Sequence, residues 1–226
     1  MWTNTNLTLD RGFRINNFEE DKIAILKKNP GLRFEVQEDG IYNFNGNYYL
    51  KDLDDKLIES FEVKVIIPKK YPNSVPVVIS TDEKITKIDD YHISKEGIIC
   101  FDHNYRLNKI ASGGLRLYDF IEYYFPKYFS WVLLKKSGKN EKLAEWAHQA
   151  EGTLQFYQSI LATNNLQIIV QFISEYLLAI KPSRNNKCYC GSGKKLKNCH
   201  LDAVNILRGT SKKELRDDFQ KIIKLK

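Results

Sequence analysis

Three of the four cysteines fall within twelve residues, and a histidine follows the last of them: Cys188-Tyr-Cys190-Gly-Ser-Gly-Lys-Lys-Leu-Lys-Asn-Cys199-His200. Three thiols and an imidazole are the complement of a Cys₃His structural zinc site. Gly191 and Gly193 would let the backbone turn tightly beneath the ion, and the lysines between the ligands would offset the excess thiolate charge. Four protein ligands leave zinc no open coordination position, so the expected cofactor is structural zinc rather than a hydrolytic centre. The competing reading is a set of unrelated surface thiols that share these spacings by chance. A string this short has no core of its own, so metal binding is expected to supply its folding energy. Four cysteines are also too few for a disulfide framework in 226 residues. Their clustering points to metal and suits a reducing cytoplasm.

The fourth cysteine, Cys100, stands in Gly97-Ile98-Ile99-Cys100-Phe101. Its residue type allows two roles. An exposed thiol is a nucleophile, and a buried one is a small inert packing residue.

The elements that must position these groups can be read along the chain. Residues 17–29 form an expected amphipathic helix, with Asn17 as cap, acids in the first turn and lysines in the last. Pro30-Gly31 ends it. Leu32–Glu38, Ile41–Leu50 and Leu57–Ile67 read as strands, with Asp39-Gly40 as a hairpin turn between the first two. The third alternates apolar and polar, as an antiparallel strand with one wet face should. Pro68-Lys-Lys-Tyr71-Pro72-Asn-Ser-Val-Pro76 is an ordered bend, because proline cannot donate a ladder hydrogen bond. Val77–Ser80 is a short fourth strand, and residues 81–96 are irregular. Leu115–Leu134 is an apolar, aromatic helix that Pro126 is expected to kink or split. Helices follow over Lys142–Leu161 and Leu166–Ile180. The second carries Leu166, Ile169, Val170, Ile173, Leu177 and Ile180 on one face, read as packed core. Lys181–Asn186 is a polar, proline-bearing linker and the expected domain boundary, dividing residues 1–182 from a tail of residues 183–226. A short basic helix near Ser211–Leu225 closes the chain. The expected class is α+β.

The chain holds 35 Lys/Arg against 28 Asp/Glu, a net charge of +7. The excess lies in the tail: residues 181–226 contain 13 Lys/Arg and 4 Asp/Glu. The main body is therefore close to neutral, which argues against a uniform nucleic-acid-binding surface. The tail's basic run is short, so nucleic acid is not the expected partner. No apolar run approaches the ~18 residues of a membrane span. The first residues lack a basic-then-apolar pattern, so no secretory signal is expected and the location is read as cytoplasmic.

Two resemblances add to this reading. Cys188-Tyr-Cys190-Gly-Ser-Gly-Lys-Lys, the basic spacer and Cys199-His200 resemble the SEC-C motif known from the C-terminus of the SecA translocase. That resemblance implies a zinc-stabilised interaction module with Cys188, Cys190, Cys199 and His200 as ligands. The main body resembles a ubiquitin-conjugating enzyme domain (UBC fold). The residues that carry this are Phe61–Ile67 with Pro68-Lys-Lys-Tyr71-Pro72-Asn-Ser-Val-Pro76, then Gly97-Ile98-Ile99-Cys100, then Leu115–Leu134 and Trp146-Ala-His148-Gln-Ala-Glu-Gly152. It implies an N-terminal helix, a four-stranded antiparallel meander and closing helices. It also implies that Cys100 accepts a protein C-terminus as a thioester and passes it to an amine on a target protein. The family's Asn, eight positions before the cysteine, is replaced here by His92. An imidazole there could donate the same hydrogen bond to the tetrahedral intermediate, act as a base, or merely buttress the loop. Asp102 and His103 flank the cysteine as further candidates, while His148 reads as a packing residue.

A histidine variant of this domain with a zinc tail is similar to the stand-alone conjugating proteins of CBASS anti-phage operons. That resemblance implies a cargo, the C-terminus of a cGAS/DncV-like nucleotidyltransferase (CD-NTase) or of a ubiquitin-like protein. Three alternatives stay open: an inactive UBC-fold scaffold, a conjugating enzyme of another bacterial operon, and a protein whose zinc tail is the functional part, a docking module for a partner or for nucleic acid.

Overall fold

The computed structural model describes residues 18–139 and 149–225. The expected cap at Asn17, and Trp146 and His148, lie outside the described residues. The chain divides into two compact units. One is Met1–Asp102 with Ile110–Ala144, and the other is His103–Lys109 with Glu145–Lys226.

The first unit begins with α1 (Phe18–Lys28), whose opening acids and closing lysines complement the helix dipole. Four strands follow: β1 (Leu32–Val36), β2 (Tyr42–Lys51), β3 (Leu57–Ile67) and β4 (Val77–Ser80). They form one antiparallel sheet in the order β1-β2-β3-β4, a plain meander. Register follows the hydrophobic pattern. Tyr48 pairs with Phe61, Gly46 with Val63 and Phe44 with Val65. The side chains of Phe44, Tyr48, Leu50, Phe61, Val63, Val65 and Ile67 are buried together. A slip of one residue would turn that whole set to solvent. Gly31 and Gly46 meet where β1 starts: a Cβ on either would strike the other strand's backbone, so the pairing Leu32↔Gly46 requires glycine.

The buried sheet face is covered by α3 (Leu117–Lys136). Phe129 stacks on Phe61 with ring centroids 4.4 Å apart, and Tyr48 packs between Phe125 and Phe129. Of the kink or split expected at Pro126, the split does not occur, and α3 continues through it. Proline removes one helical N–H, at a cost of about 3 kcal/mol. The aromatic face that α3 buries on both sides of Pro126 outweighs this.

The second unit contains α4 (Gln149–Leu161), α5 (Leu166–Leu178), α6 (Leu201–Leu207) and α7 (Lys212–Ile223). The segment His103–Lys109, which holds most of α2 (Asn104–Ser112), also belongs to it. Asn165 caps α5, its side chain accepting from the N–H groups of Gln167 and Ile168. Ser211 and Glu214 form a capping box on α7. Two expectations change. Ile180 falls past the end of α5 and is 98 % exposed, whereas Phe172 and Tyr176 take the buried face beside Ile169 and Ile173. The boundary at residues 182/183 also does not separate the two units. One cluster of buried side chains joins Phe156, Tyr157, Phe172 and Ile173 to Cys188, Leu196, Val204, Leu207, Leu215 and Ile222. The apolar faces of α6 and α7 are too small to bury themselves, so they pack on α4 and α5. Among the described residues the architecture is α+β, with one four-stranded antiparallel sheet and seven helices. No helix among them is long and apolar enough to cross a membrane.

Candidate functional site

The metal ligands expected from the sequence come together in the second unit. Cys188 N–H donates to the Lys194 carbonyl, Leu196 N–H to the Asn186 carbonyl, and Lys187 bridges to Lys195, so the segment closes as a small hairpin. Gly191, at φ +78°, makes the turn that carries Cys190. One ligand atom from each of Cys188, Cys190, Cys199 and His200 lies within 4.8 Å of all the others. The Cys190 and Cys199 sulfurs are 3.6 Å apart, and His200 Nδ1 is 3.2 Å from the Cys188 sulfur and 3.3 Å from that of Cys199. Tetrahedral zinc with Zn–S near ~2.3 Å and Zn–N near ~2.0 Å spaces its sulfurs about 3.7 Å apart and S from N about 3.5 Å. These side chains therefore fit that ion, with His200 ligating through Nδ1. Its other ring nitrogen, Nε2, lies 3.1 Å from the Leu161 carbonyl at the end of α4. That acceptor fixes the tautomer, placing the proton on Nε2 and the lone pair on Nδ1. Burial pushes the Cys188 thiol up to about 12. Cys190 is brought down to about 6: its burial resists ionisation, but hydrogen bonds from Ser192 and from the two neighbouring thiols outweigh it.

Cys100 lies in the first unit, and it is exposed. Residues 92–100 fold back as a short hairpin: Ile93 pairs with Ile99, and Ser94 N–H donates to the Ile98 carbonyl. Its second limb lies along the free edge of β4, where Ile79 pairs with Ile98 and Ile99 N–H donates to Val78. The Cβ that Gly97 lacks would strike the Ser80 carbonyl, so this approach needs glycine. The same hairpin brings His92 opposite Cys100, whose N–H donates to the His92 carbonyl at 2.8 Å. His92 has φ +50°, a left-handed conformation that histidine adopts more readily than most residues. Its ring lies beside Trp131, centroids 5.2 Å apart.

Three groups on α3 clamp this loop. Tyr128 donates its hydroxyl to the Tyr91 carbonyl at 2.8 Å, Lys135 Nζ reaches the Asp90 carbonyl at 2.6 Å, and Trp131 packs on Tyr91 and His92. Phe101 packs among Phe120, Tyr124, Phe125 and Tyr128. Partial burial, and then the carboxylate of Asp89, raise the pKa of the Cys100 thiol. Burial, and then the charge of the Cys100 sulfur, raise that of Tyr128. The backbone amide of Cys100 is engaged by the His92 carbonyl.

His103, the other flanking histidine, is engaged by the start of α2. It belongs to the second unit, where Nδ1 accepts the Tyr105 N–H at 3.3 Å and the ring stacks on Phe156 with centroids 3.8 Å apart. It caps the start of α2.

Sequence reasoning missed two buried polar hubs. Asp21 on α1 is 1 % exposed. It accepts from Arg116 Nη2 at 2.7 Å, from the Leu117 N–H at 2.8 Å and from the Tyr71 hydroxyl at 3.3 Å. In the second unit, Asp218 accepts from the Tyr105 and Tyr157 hydroxyls at 2.7 and 3.3 Å. Asp21 read as an ordinary first-turn acid, and Asp218 lies 113 residues from Tyr105, so no local signal marks either.

Residues 184–202 match the SEC-C motif family. No curated protein and no solved structure matches the chain. The motif and the four converging side chains are consistent with a bound metal ion, zinc being the typical one.

Proposed function

We propose that the chain is a ubiquitin-conjugating-like acyl transferase that carries a cargo protein's C-terminus as a thioester on Cys100. The observation that supports this best is the placement of that thiol. It is exposed on a hairpin that follows the meander and the proline bend in the chain order of the UBC fold, and it is held by the helix that covers the sheet. In the first step the Cys100 thiolate attacks the carbonyl carbon of an activated C-terminus. A new C–S bond forms, the donor's bond to its leaving group breaks, and the thiol's proton leaves with that group or with water. In the second step a neutral amine attacks. The tetrahedral oxyanion collapses, the C–S bond breaks to return the Cys100 thiolate, and the amine's surplus proton passes to the His92 imidazole or to water. His92 supports the intermediate. Cys188, Cys190, Cys199 and His200 hold structural zinc and take no part in the chemistry. By resemblance to stand-alone CBASS proteins, the cargo is the C-terminus of a cGAS/DncV-like nucleotidyltransferase, the acceptor is an amine on a target protein, and the setting is cytoplasmic anti-phage defence.

A second reading, a scaffold that holds its cargo without chemistry, is favoured by the raised pKa of Cys100, which leaves little thiolate at neutral pH. One experiment separates the two. A cGAS/DncV-like nucleotidyltransferase is prepared as a C-terminal thioester, incubated with the protein and run on non-reducing gels. The transferase gives an adduct that thiols remove and that Cys100→Ala abolishes. A stable complex with no adduct, unchanged by Cys100→Ala, identifies the scaffold. In the transferase, His92→Ala slows transfer to amines about 10²-fold or more while loading persists.

A further inference from the structure

The second unit holds a cleft that neither the metal nor the thiol explains. Lys181, Ser183, Arg184, Asn205 and Arg208 line it, and no acidic residue does. We infer that this cleft and the adjoining hairpin bind the phosphodiester backbone of a nucleic acid.

The walls are fixed by the fold. Asn186 N–H donates to Ser183, Lys197 N–H to Arg184, and Arg208 Nη2 reaches the Pro182 carbonyl at 3.5 Å. The opposite wall is α6, anchored by buried Ala203, Val204 and Leu207. Three exposed cations are thus gathered with no carboxylate among them. Their mutual repulsion is a cost that an anion in the cleft removes. The Ser183 hydroxyl and the Asn205 amide add neutral donors, a set that suits phosphate oxygens.

The basic surface continues beyond the cleft. Lys187 and Lys195 sit directly opposite each other in the hairpin bridge, and both are exposed, as are Lys194 and Lys197. The thiolates of the zinc site offset part of this charge, and the directly opposed like charges leave a residual repulsion. A small anion would relieve only the cleft, whereas a chain of regularly spaced phosphates answers both features. The sequence argued against nucleic acid because Lys194–Lys197 is a short run. Folding adds Lys181, Arg184 and Arg208 to it from outside that run.

The test uses the zinc-loaded full chain and a labelled single-stranded RNA of roughly 20 nucleotides, followed by fluorescence anisotropy at about 50 and about 200 mM salt. The expected result is binding that weakens at least ~tenfold over that range. The triple variant Lys181→Gln/Arg184→Gln/Arg208→Gln should bind at least ~tenfold more weakly at the lower salt, with a salt slope shallower by about 2. These side chains are exposed and repel one another, so its unfolding curve should show no loss of stability against wild type. The control Lys69→Gln/Lys70→Gln, in the first unit, should bind as wild type does. The inference is overturned if wild type binds no RNA at the lower salt, or if the triple variant binds equally well. It is also overturned if poly-glutamate displaces the RNA at equal charge concentration, which would assign the surface to an acidic protein. Full displacement by about 10 mM inorganic phosphate would leave only a small-anion site and overturn it as well.

Discussion

Cys100 and His103 stand three residues apart, yet their surroundings push them in opposite chemical directions. Burial and Asp89 keep the Cys100 thiol protonated above its ordinary range. Its alkylation by iodoacetamide, followed by mass spectrometry of the Cys100 peptide, should therefore be slower at pH 7 than that of a free thiol and keep rising beyond about pH 9. Asp89→Asn should shift that profile to lower pH; an unmoved profile would show that the carboxylate does not act on the sulfur. His103 is lowered to about 4, first by burial and then by the cations of Arg106 and Lys221. Between that value and the ordinary 6.5, the unfolded chain binds a proton that the folded chain does not. Stability is thus present above 6.5 and lost as pH falls through this window, by up to ~3 kcal/mol. His103→Asn keeps a capping acceptor, an amide oxygen in place of Nδ1, and removes the titration. Its urea-unfolding free energy should fall less steeply than wild type's between pH 6.5 and 4.5, and parallel curves would rule out this role for His103.

At the scale of elements, the first unit is held together by groups that answer backbone needs. The N-terminus of α3 presents unpaired N–H groups, and the buried carboxylate of Asp21 accepts from one of them while pairing with Arg116 and the Tyr71 hydroxyl. One side chain thus ties α1, the proline bend and α3. Asp21→Ala should destabilise this unit by about 3 kcal/mol, because it removes the buried carboxylate that Arg116, the Leu117 N–H and the Tyr71 hydroxyl share. In a double-mutant cycle with Arg116→Ala, the two losses should be strongly non-additive, and simple additivity would show that the pair is not coupled. The hairpin bearing Cys100 follows the same logic. The edge of β4 is covered by Ile98 and Ile99, which satisfies the edge and places the thiol at the limb's end.

For the whole molecule, the division into units decides what metal loss should do. If the zinc segment were an appendage hung on a linker, chelation would unfold residues 183–226 alone. Instead Cys188 and Leu196 belong to the same buried cluster as Phe156 and Phe172, and His200 bonds the last carbonyl of α4. Chelation, or Cys190→Ser, should therefore lower hydrogen-exchange protection across α4 and α5 as well as α6 and α7, while β2 and β3 keep theirs. Loss confined to residues 183–226 would restore the linker boundary.

Much of this was legible from residue order. Periodicity in the strands set the meander and its buried face, the proline cluster ended β3, and the Cys-x-Cys-Gly-Ser-Gly spacing specified four ligands. These are local signals, carried by neighbours a few residues apart, where propensity, turn chemistry and ligand geometry act directly. The tertiary structure alone decided the rest: that Pro126 is tolerated within α3, that His103 caps α2, that Asp21 and Asp218 are buried hubs, and that the zinc segment shares its core with α4 and α5. Each depends on groups distant in sequence meeting out of water. There, burial and pairing, set by packing and not by spacing along the chain, outweigh local preference.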